Sequence, residues 1–139
     1  MPPPGARLAL PPTIGLIGGG KLRAADCRGK LVVLEYWATW CPFCARQMPS
    51  LELLYRQHRH DGLLVLGLSI DQDPAAIAPV LQARGISFPV AWMGPQLAAA
   101  LPKPAGLPVT VVIGRDGRVI MAEAGEMLPE DVADIAKFL

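Results

Sequence analysis

The chain has 139 residues, of which 52% are hydrophobic and 18% are charged. A chain of this length buries about two-thirds of its unfolded surface in one core, so packing alone can stabilise it. Its 13 Lys+Arg and 12 Asp+Glu residues give a formal net charge of +1 and form no long run of one sign. The sequence therefore lacks the cluster of positive charge that is expected of a nucleic-acid-binding protein. We therefore expect a single soluble domain with no nucleic acid among its partners.

The sequence shows no signal for a membrane span or a secretory leader. No apolar run approaches the roughly 20 residues of a membrane-spanning helix. Pro11 and Pro12 interrupt the apolar part of residues 1–20, whereas a signal peptide has a continuous apolar segment. We expect neither feature in this chain, so its location has to be inferred from other evidence.

The N-terminal region is rich in proline and glycine. We predict a flexible Pro-rich arm over residues 1–11, followed by one domain over residues 12–139. Within that domain, the glycines at 18–20 can supply the turn of a short hairpin.

Strands and helices alternate through the rest of the chain. Residues 31–37 form an apolar run with β-branched and aromatic members, which is typical of a central strand. From Pro42 to about residue 60 the apolar residues follow one helix face, and Pro49 predicts a kink within that helix. The remaining patterns predict a strand at 63–69, a helix from Asp73-Pro74 to Gly85, a strand at 86–93, a short helix at 95–101, strands at 109–113 and 118–122 around an Asp-Gly turn, and a C-terminal helix from Pro129. This order predicts an α/β fold with helices on the faces of a sheet.

The segment Trp40-Cys41-Pro42-Phe43-Cys44 lies between the predicted central strand and the helix after it. Unpaired N–H groups and the helix dipole favour an anion at a helix start, so the pKa of Cys41 should fall below the roughly 8.5 of a free cysteine. Pro42 suits the first helical position because it has no N–H group. We identify Cys41 as the attacking nucleophile.

Cys44 follows at a spacing that permits a disulfide bond with Cys41. It can attack a mixed disulfide formed on Cys41 and release the partner reduced, so we identify it as the resolving thiol. Because Cys44 lies on the buried helix face, a nearby base would help its deprotonation. Glu35 interrupts the apolar strand and is the candidate proton acceptor, with a raised pKa if it is buried. The alternative is a solvated Glu35 on an uncovered face of the sheet.

The cysteines have two other candidate roles. A zinc site usually needs four Cys or His ligands, and His58 and His60 fall at the far end of the predicted helix. We therefore predict no metal and no other cofactor. Cys27 is interpreted as a small core or loop side chain, with a third redox thiol or an intermolecular disulfide as the alternative.

Residues 31–44 resemble the active-site strand and loop of thioredoxin-fold proteins, particularly the TlpA-like thiol:disulfide oxidoreductases. Gly106-Leu107-Pro108, with the strand and hairpin after it, resembles the cis-proline loop of that family. The resemblance spans roughly residues 12–139. It implies a thioredoxin fold, with a central mixed β-sheet flanked by helices and a TlpA-like helix-strand insertion over residues 74–101.

The resemblance also implies a substrate-binding surface. Pro108 would be cis and would face the cysteine pair, and the backbone of Leu107 would pair with an extended substrate chain. Trp40 and Phe43 bracket Cys41, and with Pro42 we expect them to form an exposed apolar rim that contacts partner proteins.

Three positions depart from the family pattern. Glu35 matches the buried Asp of thioredoxin, where many TlpA-like proteins have Asn. Gln47 stands where many TlpA-like proteins carry Glu, and Gly67 stands where thioredoxin has the Lys that partners its Asp. We expect a proton relay that is partly rebuilt or partly lost.

The resemblance favours an enzyme that reduces disulfides in protein clients, such as apo-cytochromes in cytochrome c biogenesis or metal-assembly proteins. It implies a bacterial periplasm or cell envelope and an upstream membrane electron donor, and we expect a monomer. Two alternatives stay open. One is a disulfide oxidant, because the Pro-Phe dipeptide between the cysteines does not indicate direction. The other is a non-enzymatic copper-delivery module, although the sequence lacks a Cys-x3-Cys pair.

Overall fold

The computed structural model describes residues 1–139 and contains two β-sheets. Its strands are β1 Thr13–Gly15, β2 Lys21–Arg23, β3 Leu31–Trp37, β4 Leu63–Ser69, β5 Val90–Trp92, β6 Val109–Ile113 and β7 Val119–Ala124. The larger sheet has the order β5-β4-β3-β6-β7. Its middle strand, β3, pairs in parallel with β4 and antiparallel with β6, and all seven of its residues are buried. The predicted central strand and mixed sheet are confirmed.

Helices cover both faces of this sheet. They are α1 Ala24–Cys27, α2 Pro42–His58, α3 Ile77–Arg84, α4 Pro95–Ala100 and α5 Pro129–Asp134. Short 3-10 turns extend the chain after α2 and α5, and another precedes α3. The predicted helix-strand insertion contains α3 and β5. None of the helices has the length and apolarity that crossing a membrane requires.

The side chains of β3 alternate between two apolar layers, as those of any strand do. The odd-numbered positions Leu31, Val33 and Trp37 pack with α2 and α5. The even-numbered positions Val32, Leu34 and Tyr36 pack with α4 and the β1–β2 hairpin. Glu35 is an odd-numbered position, so its side chain belongs to the layer that also contains the two motif cysteines.

The N-terminal hairpin is confirmed. Strands β1 and β2 pair antiparallel, and the three glycines between them all have positive φ, a conformation that costs glycine little. Before the hairpin, Gly5 N donates to Val119 O and Val119 N donates to Ala6 O, both at 2.8 Å. The arm therefore lies along the start of β7, while the division of the chain into arm and domain stays a prediction.

The strand predicted over residues 86–93 is wrong in its extent, because only Val90–Trp92 joins the sheet. The backbone N–H groups of Ser87 and Phe88 donate to Oε1 of Glu52 on α2, at 2.8 and 3.2 Å. Pro89 has no N–H group to offer. Three successive residues thus cannot donate to a strand ladder, and the side chain of Glu52 ties this segment to α2 instead.

Candidate active site

The two motif cysteines lie where β3 passes into α2. The strand ends at Trp37, and α2 begins at Pro42 with Cys41 as its N-cap. The sulfur of Cys41 accepts a hydrogen bond from the backbone N–H of Cys44 at 3.2 Å. A donor at this position stabilises negative charge on the sulfur. This is the geometry on which the assignment of Cys41 as nucleophile depends.

Cys41 and Cys44 are joined in a disulfide bond, with their Cα atoms 5.3 Å apart. The two sulfurs differ in their access to solvent. Cys41 is 4% exposed, whereas Cys44 is fully buried among the apolar residues of α2 and β3. A reactant arriving from solvent therefore meets Cys41 first.

The loop before Cys41 is held by a buried carboxylate that the sequence analysis did not single out. Asp71, just after β4, accepts hydrogen bonds from the backbone N–H and the hydroxyl of Thr39 at 3.0 and 2.6 Å. Ser69 donates to the same carboxylate, and Arg84 of α3 donates to the carbonyl of Thr39 at 3.3 Å. The available signal was an acidic residue directly after an apolar parallel strand, since the carboxyl ends of parallel strands meet at one edge of a sheet.

Glu35 is fully buried beneath α2, which excludes the solvated alternative. Its Oε1 accepts a hydrogen bond from the Thr110 hydroxyl at 2.6 Å, and its Oε2 accepts one from the Gln47 amide at 2.9 Å. Burial raises the pKa of Glu35 to about 8, and the hydrogen bond from Thr110, which favours the carboxylate, opposes that rise. The carboxyl group therefore gains and loses its proton near pH 8.

Gln47, one of the three departures from the family pattern, connects three elements of the fold. Its Nε2 donates to Glu35 on β3 and to Thr110 on β6, each at 2.9 Å. Its Oε1 accepts from the backbone N–H of Met127, in the segment between β7 and α5, at 2.7 Å.

Gly67, another of these departures, lies opposite Glu35 in the β3–β4 pairing. A Cβ atom at this position would lie 3.0 Å from the side chain of Val90 and 3.1 Å from that of Trp37, so any larger residue here would require these side chains to shift. Glu35 takes part in none of the ion pairs of the structure. Its hydrogen-bond partners are neutral side chains only.

The Leu107–Pro108 peptide bond is cis, as predicted. Pro108 immediately precedes β6, whose first residue, Val109, pairs with Tyr36 near the end of β3. This pairing brings the proline to the edge of the sheet from which the cysteine loop emerges. The carbonyl of Pro108 accepts from Gly125 N at 2.8 Å, while the backbone N–H and C=O of Leu107 form no hydrogen bond within the chain.

Exposed apolar side chains flank Cys41 in the chain, as predicted. Trp40 is 66% exposed and Phe43 is 50% exposed, and Pro42 between them is exposed too. The guanidinium of Arg46 lies 4.8 Å from the centre of the Phe43 ring and forms an ion pair with Glu126 at 2.9 Å. These contacts fix one side of the apolar rim.

Cys27 does not join the site. It ends α1, before β3 begins, whereas Cys41 follows the other end of that strand. Its thiol is free, half-buried and directed at the carbonyl of Arg23. Burial raises the pKa of the Cys27 thiol, with the charge of Lys30 opposing the rise. No three His, Cys, Asp or Glu side chains are grouped as a metal site would need.

Comparisons with known proteins place the same residues in one family. The Redoxin family model matches residues 12–139. The chain is similar to the thiol-disulfide oxidoreductase ResA of Bacillus thuringiensis, with 30% identity over 119 residues that make up 86% of this chain and 69% of the relative. ResA of Bacillus subtilis is 24% identical over 116 residues, or 84% of this chain and 65% of the relative.

Solved structures share the fold. A thioredoxin-family thiol:disulfide interchange protein from Chlorobium tepidum superposes with a TM-score of 0.83 at 24% identity, covering 95% of this chain and 96% of its own. A secreted disulfide oxidoreductase of Mycobacterium tuberculosis, homologous to E. coli DsbE, gives a TM-score of 0.78 at 21% identity and covers 91% of this chain and 95% of its own. At these identities the likeness establishes the thioredoxin-like architecture.

Proposed function

The chain belongs to the Redoxin family and is a thiol-disulfide oxidoreductase with a Cys41–Cys44 redox pair, and from this premise we propose that it reduces disulfides in protein clients. The observation that carries the proposal is the arrangement of the pair. Cys41, which is 4% exposed, caps α2, and the fully buried Cys44 lies one helical turn further on. Such a pair can form a mixed disulfide through one cysteine and resolve it through the other.

In the first step, the Cys41 thiolate attacks one sulfur of a client disulfide. The client S–S bond breaks, its other sulfur leaves as a thiolate, and a mixed disulfide joins Cys41 to the client. The N–H of Cys44 that points at the Cys41 sulfur stabilises the attacking thiolate before the step.

In the second step, Cys44 gives its proton to Glu35 and attacks the Cys41 sulfur. The mixed disulfide breaks, the client leaves with both sulfurs reduced, and the enzyme keeps the Cys41–Cys44 disulfide. A proton acceptor works best when its pKa lies near the working pH. The pKa of about 8 for Glu35 meets that condition for a thiol partner.

The surroundings of Cys41 support reduction over oxidation. A strong oxidant of this class has an unusually stable reduced form, which a highly stabilised thiolate provides. Here the Cys41 sulfur accepts one backbone hydrogen bond, and no Lys, Arg or His side chain bonds to it. The TlpA-like proteins that the motif resembles also act mostly as reductases.

Client binding is assigned to the surface around the disulfide. The unpaired backbone groups of Leu107, beside cis-Pro108, can pair with an extended client segment. Trp40, Pro42 and Phe43 provide an apolar contact next to the sulfur.

The setting is proposed to be extracytoplasmic, in a bacterial periplasm or cell envelope. Structural neighbours from Mycobacterium tuberculosis and Corynebacterium glutamicum are described as secreted, which supports this location. The clients proposed are apo-cytochromes or metal-assembly proteins, as the TlpA-like resemblance implies. The protein is proposed to act as a monomer and to receive its electrons from a membrane donor.

Trapping of the mixed disulfide tests the two cysteine roles. In a Cys27→Ser background, Cys44→Ala should accumulate a covalent complex between Cys41 and a disulfide-containing client, detected by non-reducing gels and mass mapping. Cys41→Ala should form none. A complex that accumulates on Cys44 instead would reverse the assignment.

A further inference from the structure

The orientation of the Gln47 amide is fixed by one backbone group. The two ends of an amide side chain look alike in shape, but only the oxygen can accept a hydrogen bond. Met127 N–H can only donate, and it lies 2.7 Å from one end of the amide, which must therefore be Oε1. The Nε2 end consequently points at Glu35 and Thr110.

These three side chains form a closed ring of hydrogen bonds. One N–H of Gln47 is directed at Oε2 of Glu35 and the other at the hydroxyl oxygen of Thr110, both at 2.9 Å. The Thr110 hydroxyl then donates to Oε1 of Glu35 at 2.6 Å. In its ionised form Glu35 accepts at both oxygens, and all of these donors are then satisfied at once. A protonated Glu35 would force one of its partners to turn its own donor away.

The ring is buried, and contacts between α2 and the segment before α5 support it. Glu35 and Thr110 are fully buried and Gln47 is 1% exposed, so hydrogen bonds in the ring face little competition from water. The chain neighbours of Gln47 and Met127 are also joined, because Arg46 donates to Glu126 through both Nε and Nη2 on the protein surface. Two successive residues of α2 therefore hold two successive residues of the segment before α5.

No other charged group accounts for the state of Glu35. Across the sheet it faces Thr110 on β6 and Gly67 on β4, which do not titrate in this range. The residues of α2 on the same side of the sheet as Glu35 include Cys44 and Gln47. Cys44 is disulfide-bonded and therefore does not titrate. Tyr36 points to the opposite layer. The donors of Gln47 and Thr110 are thus the contacts that favour the charged form against burial.

We propose that Gln47 is a positioning residue for Glu35. By donating to Oε2 and to Thr110, it holds the carboxylate as an acceptor and keeps its proton exchange within the pH range in which Cys44 has to be deprotonated. Without this amide, the pKa of the Glu35 carboxyl would rise further, and a smaller fraction of it would be ionised at the working pH. The proposal deepens the proposed function and rests on it for the part that Glu35 plays in resolution.

The direct test is the titration of the Glu35 carboxyl carbon by NMR in the oxidised protein, where Cys41 and Cys44 do not titrate. Its resonance is the one that disappears in Glu35→Gln. In Gln47→Met the midpoint should rise by about one pH unit, a tenfold change in proton affinity. Gln57→Met, at an exposed glutamine of the same helix, should leave the midpoint in place.

A second variant keeps the shape of the ring in case Gln47→Met folds poorly. Gln47→Glu is nearly isosteric and preserves the acceptor for Met127 N–H. Two buried carboxyls would then share one proton and titrate in two steps, the upper of them above the wild-type midpoint. A Glu35 midpoint that is unchanged in every folded Gln47 variant overturns the proposal.

The rate at which a trapped client is released, measured against pH, separates positioning from a purely structural role. If Gln47 positions Glu35, the midpoint of this profile moves upward together with the NMR midpoint. A lower melting temperature with both midpoints unmoved contradicts the proposal. Wild-type release rates in Glu35→Gln at every pH would instead remove Glu35 from the proposed mechanism, while the effect of Gln47 on the Glu35 midpoint would still be measurable.

Discussion

The side chain of Asp71 accepts two hydrogen bonds from Thr39, one from the Thr39 backbone N–H at 3.0 Å and one from the Thr39 hydroxyl at 2.6 Å. These bonds tie the cysteine loop to the end of β4. Asp71 is 5% exposed, and its backbone carbonyl also accepts from the indole of Trp92. The residue two positions before Cys41 is therefore fixed by the neighbouring strand and not by α2.

Asp71→Ala should loosen this loop and destabilise the protein. Removing the carboxylate leaves the part-buried donors of Thr39 and the buried hydroxyl of Ser69 without this partner, at a cost of about 3 kcal/mol in the free energy of unfolding. The rate of attack by Cys41 on a small disulfide should also fall. Asp73→Ala is the control, because this exposed residue only caps a 3-10 turn through Ala75 N and should cost about 1 kcal/mol. An unchanged attack rate in Asp71→Ala would show that the loop does not need this anchor.

Glu35 should make the stability of the protein decrease as the pH rises. Its pKa is about 8 in the folded protein against 4.5 for an ordinary glutamate, so between these values the folded state keeps a proton that the unfolded state releases. The contribution is complete below about pH 4.5 and is lost as the pH rises through about 8.

Urea unfolding at pH 5 and pH 8 measures this effect. The wild type should lose on the order of 3 kcal/mol between the two conditions through Glu35. Glu35→Gln should show a flatter dependence, whereas Glu123→Gln, at an exposed position, should keep the wild-type slope. A slope in Glu35→Gln equal to that of the wild type would mean that Glu35 does not titrate in this window.

The apolar rim should matter for protein clients and not for small disulfides. Replacing Trp40 and Phe43 by serine should lower kcat/KM for a protein client about tenfold or more, since exposed aromatic anchors often dominate a contact surface. Turnover of a small disulfide should stay near the wild-type value. Leu53→Ser is the matched control. Leu53 is 55% exposed on α2, the helix that also contains Phe43, but it lies about three turns from Cys41. Equal losses for both substrates would indicate damage to the redox pair and not to client binding.

Cys27 should react slowly and take no part in turnover. Its raised pKa predicts that iodoacetamide modifies it several-fold more slowly at pH 7 than a cysteine in an unfolded peptide. Mass spectrometry of the oxidised protein follows this directly, because Cys27 is then the free thiol. Cys27→Ser should keep the wild-type reduction potential, and a shifted potential would make Cys27 part of the redox centre.

Local patterns predicted much of this fold. The strands at 31–37 and 63–69 have the predicted bounds, because both are apolar runs buried on two faces. The sequence also indicated the burial of Glu35, since an acid that interrupts a strand buried on both faces has no exposed face to turn to. The strand at 86–93 was overestimated because its amides are taken by Glu52, 35 residues earlier in the chain.

The contacts that complete the site were outside the reach of local patterns. Thr39 and Asp71 are 32 residues apart, and Gln47 and Met127 are 80 residues apart. Each side chain is unremarkable in its own segment, and its partner is fixed only when the strands take their order in the sheet. Sequence alone could place Gln47 beside the cysteines but could not show that its amide is directed at Glu35.

An equilibrium redox titration against glutathione buffers, with thiol trapping and mass mapping, tests the reductase assignment most directly. We expect one reversible couple between Cys41 and Cys44, with Cys27 unpaired and a potential near the roughly −270 mV of thioredoxin. A potential near the roughly −120 mV of a strong oxidant would contradict the proposed direction. The absence of any reversible Cys41–Cys44 couple would contradict the redox role itself.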